Sequence, residues 1–595
     1  MNRYYNKTGA EIIRLFLNEK GVKNVFGFTG GAVLSLTDQF HSSHKSGIKH
    51  ITNRTEAAAG HSAEGYARAT GELGVVVSTS GPGVTNLVTP LQNATSDGYP
   101  LLAISGQVST HMIGKDAFQE CRATDITKPA TKWSNLVVDV NDLPDMLEMA
   151  YNLATTPRYG AVHLDIPKDV FSSIYNREQD NIKKISVDSA MVNDITPVSF
   201  VHESSKKAVE SKQLNKSVNQ LCKLINNSQR PVIIVGRGAV DSYIDLRKFI
   251  SKTPIPVTST LHGMGVFDET HELSLHMLGM HGSAYANYTV QNADLIISLG
   301  SRFDDRVIGT VDTYAPEAHL GIVHVDNCSE QFNKNIKTTL NIHCDVGKLL
   351  KLLNRRRYNI KNKTEWYKKI KMWKMLFPFE YEKTKNICVQ EVIDNINSHI
   401  EPDTIVTTGV GNHQMFTAQF INWRKPNKIF TSGSSGTMGT GLPFAIGATI
   451  ANNSNRVISI DGDSSFMMSS GELGTVKQYN LPITMFVMDD MRQQMVYIWQ
   501  KLFFNGNIIA TENHNPDFVK LAESYDIPTY KINDREDLTG IKDIISMKPE
   551  DGPILIHVKS KPDICLPLVA PGKALNDMIL RYNVSEFIGT GEPPN

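Results

Sequence analysis

The chain is short of the features that mark specialised classes of protein. Its 595 residues include only six cysteines: Cys121, Cys222, Cys328, Cys344, Cys388 and Cys565. They are widely scattered, with no CxxC and no paired histidine ligands, which argues against a disulfide framework and a structural zinc site. A reducing compartment is expected. Net charge is also missing, with 61 Lys and Arg against 61 Asp and Glu. No overall field therefore draws the molecule to nucleic acid or to an anionic membrane. No uninterrupted apolar stretch approaches the roughly 20 residues of a membrane span. The opening MNRYYNKTGAEIIRLFLNEKGV enters an amphipathic helical pattern at once, without an apolar signal region or an Arg/Ser-rich import leader. The expected location is the cytoplasm, with synthesis inside an organelle left open. What is present is ordinary for a globular protein: 41% hydrophobic and 8% aromatic residues. At roughly 150 residues per domain the length predicts three or four domains with large cores.

Short β-branched runs alternate with helical patterns in three successive blocks, which predicts layered α/β domains with parallel sheets. The first block spans 1–180, with strand candidates Val25–Phe28, Val75–Thr79, Leu101–Ser105 and Ala161–Asp165. A polar stretch, 181–216, reads as a linker. The second block spans 217–354, with strands Pro231–Val235, Ala293–Leu299 and Ile322–Val325. The segment 355–388 reads as a second linker and contains RRRYNIKNKTEWYKKIKMWK, basic with interleaved aromatics. Nucleic-acid binding is one reading of it; the other is a solvated helix anchored by Trp366, Tyr367 and Trp373. The third block spans 389–561, with strands Thr404–Thr407, Val457–Ile460, Ile483–Met488 and Ile554–Val558, and a tail follows over 562–595.

Several turns carry chemistry. A strand ending in Gly462-Asp463, and another ending in Asp489-Asp490, present carboxylates at the edge where open α/β sheets bind ligands. Alone, a Gly-Asp pair reads as a helix cap; two acidic loops separated by one helix–strand unit suit Mg²⁺ shared with a phosphate. Upstream, Gly409, Gly411, Asn412 and His413 form a turn whose N–H groups suit a diphosphate. No Walker A sequence is present. Glu56 lies in the first turn of a predicted helix, a favourable place against its dipole. Close by, Gly81-Pro82-Gly83 forms a tight turn that admits close backbone approach to a ligand. In the middle block, Gly236-Arg237-Gly238 is an incomplete dinucleotide fingerprint. Arg302 and Arg306 flank Asp304 and Asp305, a pattern equally suited to an internal ion-pair cluster.

Taken in order, the motifs FTGGA, EGYARATG, TSGPGVTNLVTP, AFQE, DIPKDV, LGMHGSAYAN, RFDDR, VGNHQM, GTMGTGLP, GDSS and QMVYIWQKLF make a specific set. The chain resembles the catalytic subunits of acetolactate synthases, thiamine diphosphate enzymes, over nearly its whole length. The resemblance implies three doubly wound parallel-sheet domains: pyrimidine-binding, central FAD-binding and diphosphate-binding. It also implies decarboxylation of pyruvate and condensation of the two-carbon unit with a second pyruvate or with 2-oxobutyrate. The products, 2-acetolactate and 2-aceto-2-hydroxybutyrate, stand at the first common step of valine, leucine and isoleucine biosynthesis.

The same resemblance implies roles for individual residues. Glu56 matches the glutamate that hydrogen-bonds the cofactor aminopyrimidine, and Met438 the residue that bends the cofactor. Gly30, Gly31, Pro82 and Asn86 would lie against its pyrimidine end. Val410, Gly411, Asn412, His413, Gly462, Ser464, Ser465, Gln493 and Met495 would surround the diphosphate. Asp463, Asp490 and the backbone carbonyl of Arg492 would hold Mg²⁺. Trp499 and Arg306 match the acceptor-site pair, an indole wall and a guanidinium for the acceptor carboxylate. Phe118, Gln119, Lys168, Met280 and Phe503 match other positions around that site. FAD, without net redox role, would meet Gly236, Gly238, Met280, His281, Gly282 and Gly300. Arg302, Asp304, Arg306, Asp326 and Asp345 would complete its surroundings. A homodimer or homotetramer, with the cofactor spanning the dimer interface, and a separate small regulatory chain are implied partners.

The sequence departs from the family pattern in places. Thr55-Glu56-Ala57 stands for His-Glu-Gln, Asp489-Asp490 for Asn-Asn, and Gln493-Gln494-Met495 for Gln-Gly-Met. Ser109 replaces a common Pro and Lys115 a common Thr. The added charge beside a diphosphate is expected to alter cofactor or metal affinity. A pyruvate oxidase or flavin-free catabolic relative is one alternative, disfavoured by Trp499, Arg306 and RFDDR. A weakly active cofactor-binding paralogue is the other, kept open by the departures.

Overall fold

A computed structural model describes residues 3–44, 46–177, 203–359, 363–452 and 455–584. It contains three six-stranded sheets, each entirely parallel. The first is built from β1 (Asn24–Phe28), β2 (Lys49–Thr52), β3 (Gly74–Ser78), β4 (Leu101–Gln107), β5 (Trp133–Leu136) and β6 (Ala161–Pro167). The second has β7 (Pro231–Val235), β8 (Val257–Ser259), β9 (Ser274–Met277), β10 (Leu295–Leu299), β11 (Gly321–Asp326) and β12 (Leu340–His343). The third has β13 (Ile405–Thr408), β14 (Ile429–Phe430), β15 (Val457–Gly462), β16 (Ile483–Asp489), β17 (Thr529–Ile532) and β18 (Ile554–Lys559).

Strand order separates the middle sheet from the other two. The first sheet runs β2-β1-β3-β4-β6-β5 and the third β14-β13-β15-β16-β18-β17, the same order in block-by-block numbering. The second runs β12-β11-β10-β7-β8-β9, the mirror-read order of dinucleotide-binding folds. Each sheet is buried on both faces, which is why its strands read as continuous apolar runs. Val75 and Val77 enter one core and Val76 another. The third sheet does the same, with Met485 and Val487 on one side and Phe486 and Met488 on the other.

One core is shared between the first and third domains. Between their sheets lie two small-residue helices, Glu56–Thr70 and Gly441–Ala451. Their backbones nearly touch: a Cβ on Gly447 would stand 1.9 Å from the Ser62 carbonyl oxygen, and one on Gly65 2.5 Å from that of Phe444. The helix that begins with Glu56 is thereby fixed against the third domain of its own chain.

The expected linkers prove more structured than their polarity suggested. Of 181–216, residues 181–202 lie outside the described residues, while 203–216 open the helix Glu203–Asn227. Leu214, Val218, Leu221 and Ile225, spaced for one helical face, are buried in the central core. Within 355–388, the helix Thr364–Leu376 forms as expected. Trp366 and Trp373 are buried, the Trp366 indole donates to the Pro231 carbonyl at 3.2 Å, and the Tyr367 hydroxyl donates to that of Pro254 at 2.7 Å. Of the tail, residues 585–595 lie outside the described residues; before them Leu568–Val569 and Met578–Ile579 pair antiparallel, and Val569, Leu575, Met578 and Leu580 join a core of the central domain.

Candidate active site

The third domain assembles a small cavity at the C-terminal ends of β13, β15 and β16. It measures about 70 Å³. Most diphosphate and metal candidates of this domain line it, though not Gly409 or Asp489: Val410, Gly411, Asn412 and His413 from the turn after β13, then Met438. Gly462, Asp463, Ser464 and Ser465 follow β15, and Asp490, Arg492, Gln493 and Met495 follow β16. Parallel register explains the convergence: Gly462 pairs with Met488, so Asp463 stands level with Asp489 and next to Asp490. The floor has no room for side chains. A Cβ on Gly409 would lie 2.1 Å from Asp461 Oδ1, and one on Gly462 2.7 Å from His413 Nδ1.

The electrostatics of this cavity call for a cation. Burial, then the charge of Asp463, pushes the Asp490 carboxyl up to about 7. Burial also raises Asp463, although hydrogen bonds from Asn515 and Ser464 work against it. Two carboxylates raised by burial beside an open cradle of backbone suit a hard divalent ion. Asp489 differs: burial acts upward on it too, but hydrogen bonds from His557 and Asn515 prevail and hold it below the ordinary carboxylate range.

A second and larger cavity, about 1470 Å³, adjoins the first, sharing Val410, Gly411, Met495 and Val496 with it. Trp499 and Phe503 from the third domain and Arg306 and Met280 from the central domain are all in its lining. The Trp499 and Phe503 rings meet edge to face at 5.4 Å, and the Trp499 indole N–H is buried without a protein partner. Arg306 places Nη1 2.7 Å from Met280 Sδ and is otherwise exposed.

The rest of that cavity follows the switch point of the second sheet, between β7 and β10. Gly238, Gly300, Arg302, Asp304, His281, Asp326 and Asp345 all line it. Gly300 has φ +63°, and a Cβ there would stand 2.5 Å from the Gly238 Cα. That close backbone approach is what a dinucleotide cradle needs, although the full fingerprint is missing. Burial draws His281 down to about 4, so it is neutral. Arg302 donates to Ser96 O at 3.0 Å and Ser434 Oγ at 2.7 Å, joining all three domains, and of the expected ion-pair cluster Arg306 and Asp305 pair at 3.8 Å, exposed rather than internal. Gly236 and Gly282 do not line the cavity; backbone of Gly300 and of Leu278 occupies the place of their Cβ atoms.

The first-domain candidates line neither cavity. They gather instead at the C-terminal edge of the first sheet. Glu56 opens its helix and accepts from Asn86 Nδ2 at 3.0 Å. Gly30 packs on Thr79 and is followed by Gly31, while the Gln119 backbone packs against the Gly81-Pro82 turn. Lys168 starts the helix after β6 and is exposed, and Phe118 is 89% exposed.

Some site residues carried no sequence signal. Asp97, buried at the end of a helix, lines the large cavity and accepts from Arg68 at 2.8 Å and from Ser434 N at 2.8 Å. Arg158 and His262 line the same cavity. Asn513, Asn515 and His557 surround the acidic loops from distant sequence, and no motif marks them.

Family models match all three domains. The N-terminal TPP binding domain of thiamine pyrophosphate enzymes covers residues 7–127, the central domain 218–353 and the C-terminal TPP binding domain 409–558. The chain is therefore built throughout as a thiamine pyrophosphate enzyme. Among curated proteins it is 40% identical to the mitochondrial acetolactate synthase of Schizosaccharomyces pombe, over 98% of this chain and 88% of that one. It is 39% identical to the mitochondrial catalytic subunit of acetolactate synthase from Saccharomyces cerevisiae, over 96% and 83%. With the acetolactate synthase large subunit of Corynebacterium glutamicum the identity is 37%, over 98% and 92%. The chain belongs to the acetolactate synthase family.

Proposed function

We propose that this chain is the catalytic polypeptide of an acetolactate synthase, with thiamine diphosphate, Mg²⁺ and FAD as cofactors. It joins a two-carbon unit from pyruvate to a second pyruvate or to 2-oxobutyrate. The observation that carries this reading is the adjacency of the two cavities, which share Val410, Gly411, Met495 and Val496, with Trp499 and Arg306 both in the lining of the larger. Thiamine diphosphate, when bound, supplies the nucleophilic carbon and electron sink that allow a 2-oxo acid to lose CO₂.

The chain's own groups have separable tasks. The N–H groups at the start of the helix Asn412–Phe420 favour the diphosphate. Asp463, Asp490 and the Arg492 carbonyl would hold Mg²⁺ against it. Asn86 occupies Oε2 of Glu56, which leaves Oε1 to take the proton-bearing nitrogen of the aminopyrimidine. Arg306 offers a guanidinium to the acceptor carboxylate, and Trp499 provides the apolar wall that accommodates the extra methylene of 2-oxobutyrate. The switch-point glycines and Arg302 fit the flavin dinucleotide.

Glu56 lines neither cavity of its own chain, which supports a homodimer or homotetramer in which another copy supplies it. Exposed apolar side chains support this: Phe28, Leu34 and Phe118 on the first domain, and Met467, Met468 and Met491 on the third. A reducing compartment, the cytoplasm, accords with six free cysteines. The test is product analysis of purified protein with Mg²⁺, thiamine diphosphate, FAD and pyruvate, with and without 2-oxobutyrate. Aceto-hydroxybutyrate formed in preference to acetolactate is the expected result, and Trp499→Leu should remove the preference. Peroxide or acetyl phosphate would identify an oxidase, and no product at saturating cofactors would refute the catalytic reading. Light scattering that finds only monomer under assay conditions would refute the shared site.

A further inference from the structure

The two acidic loops are tied together by a segment that belongs to neither. Residues 511–513 run antiparallel along 491–493: Gln493 N donates to Thr511 O at 2.8 Å, Arg492 bridges Glu512, and Asn513 N donates to Met491 O at 2.8 Å. Two asparagine side chains then reach back across the loops. Asn513 Nδ2 donates to Ser464 Oγ. Asn515 Nδ2 donates to Asp463 Oδ2 at 2.6 Å and to Asp489 Oδ1 at 2.7 Å. The second oxygen of Asp489 is hydrogen-bonded to His557 Nε2 at 2.8 Å. Register explains that last contact: His557 on β18 pairs with Val487, and Asp489 lies two residues on, hence on the same face of the sheet.

Asp489 does not line the small cavity, whereas Asp463 and Asp490 do. Both of its oxygens are engaged, Oδ1 by Asn515 and by the Met491 N–H at 3.2 Å and Oδ2 by His557. An amide NH₂ has two hydrogens, so Asn515 can serve one carboxylate with each, and once Asp489 fixes it the direction of Asp463 is fixed too.

We propose that Asn515 is a positioning residue that aims Asp463 at the divalent cation, and that Asp489 and His557 are its anchor rather than additional cation ligands. This rests on the reading that Asp463 and Asp490 hold the cation. It also explains how the chain carries Asp489 beside a diphosphate site: the added carboxylate is turned to His557 and used as a fixed acceptor. Groups of this kind, one bond removed from a metal ligand, typically cost about 10–100-fold in metal affinity when replaced.

The experiment titrates the full-length protein with Mn²⁺ in the presence of thiamine diphosphate, reading bound ion by electron paramagnetic resonance, with melting by circular dichroism as the folding control. Asn515→Leu should weaken Mn²⁺ by about 10–100-fold, and Asp489→Leu likewise; Asn515→Ala replaces the leucine variant if that does not fold. Asp489→Asn keeps an acceptor oxygen for Asn515, offers its amide nitrogen to the His557 ring, and should bind Mn²⁺ nearly as the parent does. Asp463→Asn should lose binding. Folded Asn515 variants that bind Mn²⁺ as tightly as the parent would overturn the proposal, as would an Asp489→Asn variant that falls as far as Asp463→Asn. A parent protein that binds no Mn²⁺, or an Asp463→Asn variant that binds it normally, would instead remove the cation site and the proposal with it.

Discussion

Asn86 donates its side-chain amide to Glu56 Oε2 across 3.0 Å, tying the turn after Gly81-Pro82-Gly83 to the first residue of the Glu56–Thr70 helix. One oxygen of the glutamate is occupied and its rotamer is held, so the other is presented in a defined direction. Glu56→Gln keeps size and hydrogen-bonding capacity but removes the proton acceptor. Turnover with pyruvate should fall by about 10²–10⁴-fold. Thiamine diphosphate binding, followed by tryptophan fluorescence, should stay largely intact. Full activity in this variant would displace Glu56 from the proton-handling role.

The contact between Gly300 and Gly238 makes a separate prediction for the flavin. Alanine at position 300 must adopt φ near +63° with its Cβ 2.5 Å from the Gly238 Cα. Strain in that backbone region alone costs about 1–3 kcal/mol, and the two switch-point turns must also move apart. Gly300→Ala should lose FAD, measured by visible absorbance after reconstitution. The diphosphate cradle, on another sheet, should keep its thiamine diphosphate affinity.

Trp366 is the main anchor of the basic helix. Its ring is buried against the central domain, meets Trp373 edge to face at 6.0 Å, and donates to the Pro231 carbonyl at the start of β7. Trp366→Ala should destabilise the central domain by about 3–5 kcal/mol, seen as an earlier urea transition. Substitution of the neighbouring exposed Lys368 by Ala should shift that transition hardly at all, because its partner Glu365 is itself exposed.

A buried pair in the first sheet predicts two opposing pH dependences. Burial pushes Asp165 up to about 7, even though it accepts hydrogen bonds from Ser105 and Gln107. Burial draws His163 down to about 3. For Asp165, the unfolded chain ionises first, so stability falls as pH rises from about 4 towards 7. For His163, the unfolded chain protonates first, so stability falls as pH drops below about 6.5. Between about pH 4 and 6.5 the two slopes, each roughly 1.4 kcal/mol per pH unit, oppose one another. Asp165→Asn should therefore leave stability rising with pH over that window, and His163→Gln should leave it falling. Parallel pH profiles of the urea midpoint for both variants would refute this account.

The path from sequence to structure was direct where a single strand and its following turn held the information. Val457–Gly462 and Ile483–Asp489 are apolar runs buried on both faces, and the turns after them carry Asp463 and Asp490 into one cavity. Trp366 and Trp373 marked an anchored helix through their spacing. Leu214, Val218, Leu221 and Ile225 held the same helical signal, hidden by the polar residues among them. The short strands Val257–Ser259, Ser274–Met277 and Leu340–His343 were not legible, being too brief for periodicity to distinguish from loop.

By itself the sequence determined the three α/β blocks, the carboxylates and glycines at their strand ends, and the family, because each is written in contiguous residues. Only the tertiary structure decided which strand ends are neighbours. The order β15-β16-β18 brings Asp463, Asp489 and His557 together, and a later loop adds Asn515 between them. It also decided that the helix opened by Glu56 is packed against the third domain of its own chain, while Glu56 itself does not line that domain's cavity. The physical reason is the parallel crossover. Each strand's hydrophobicity fixes that it is buried, but its place in the sheet is fixed by helices packing across the faces, and no local pattern records that arrangement.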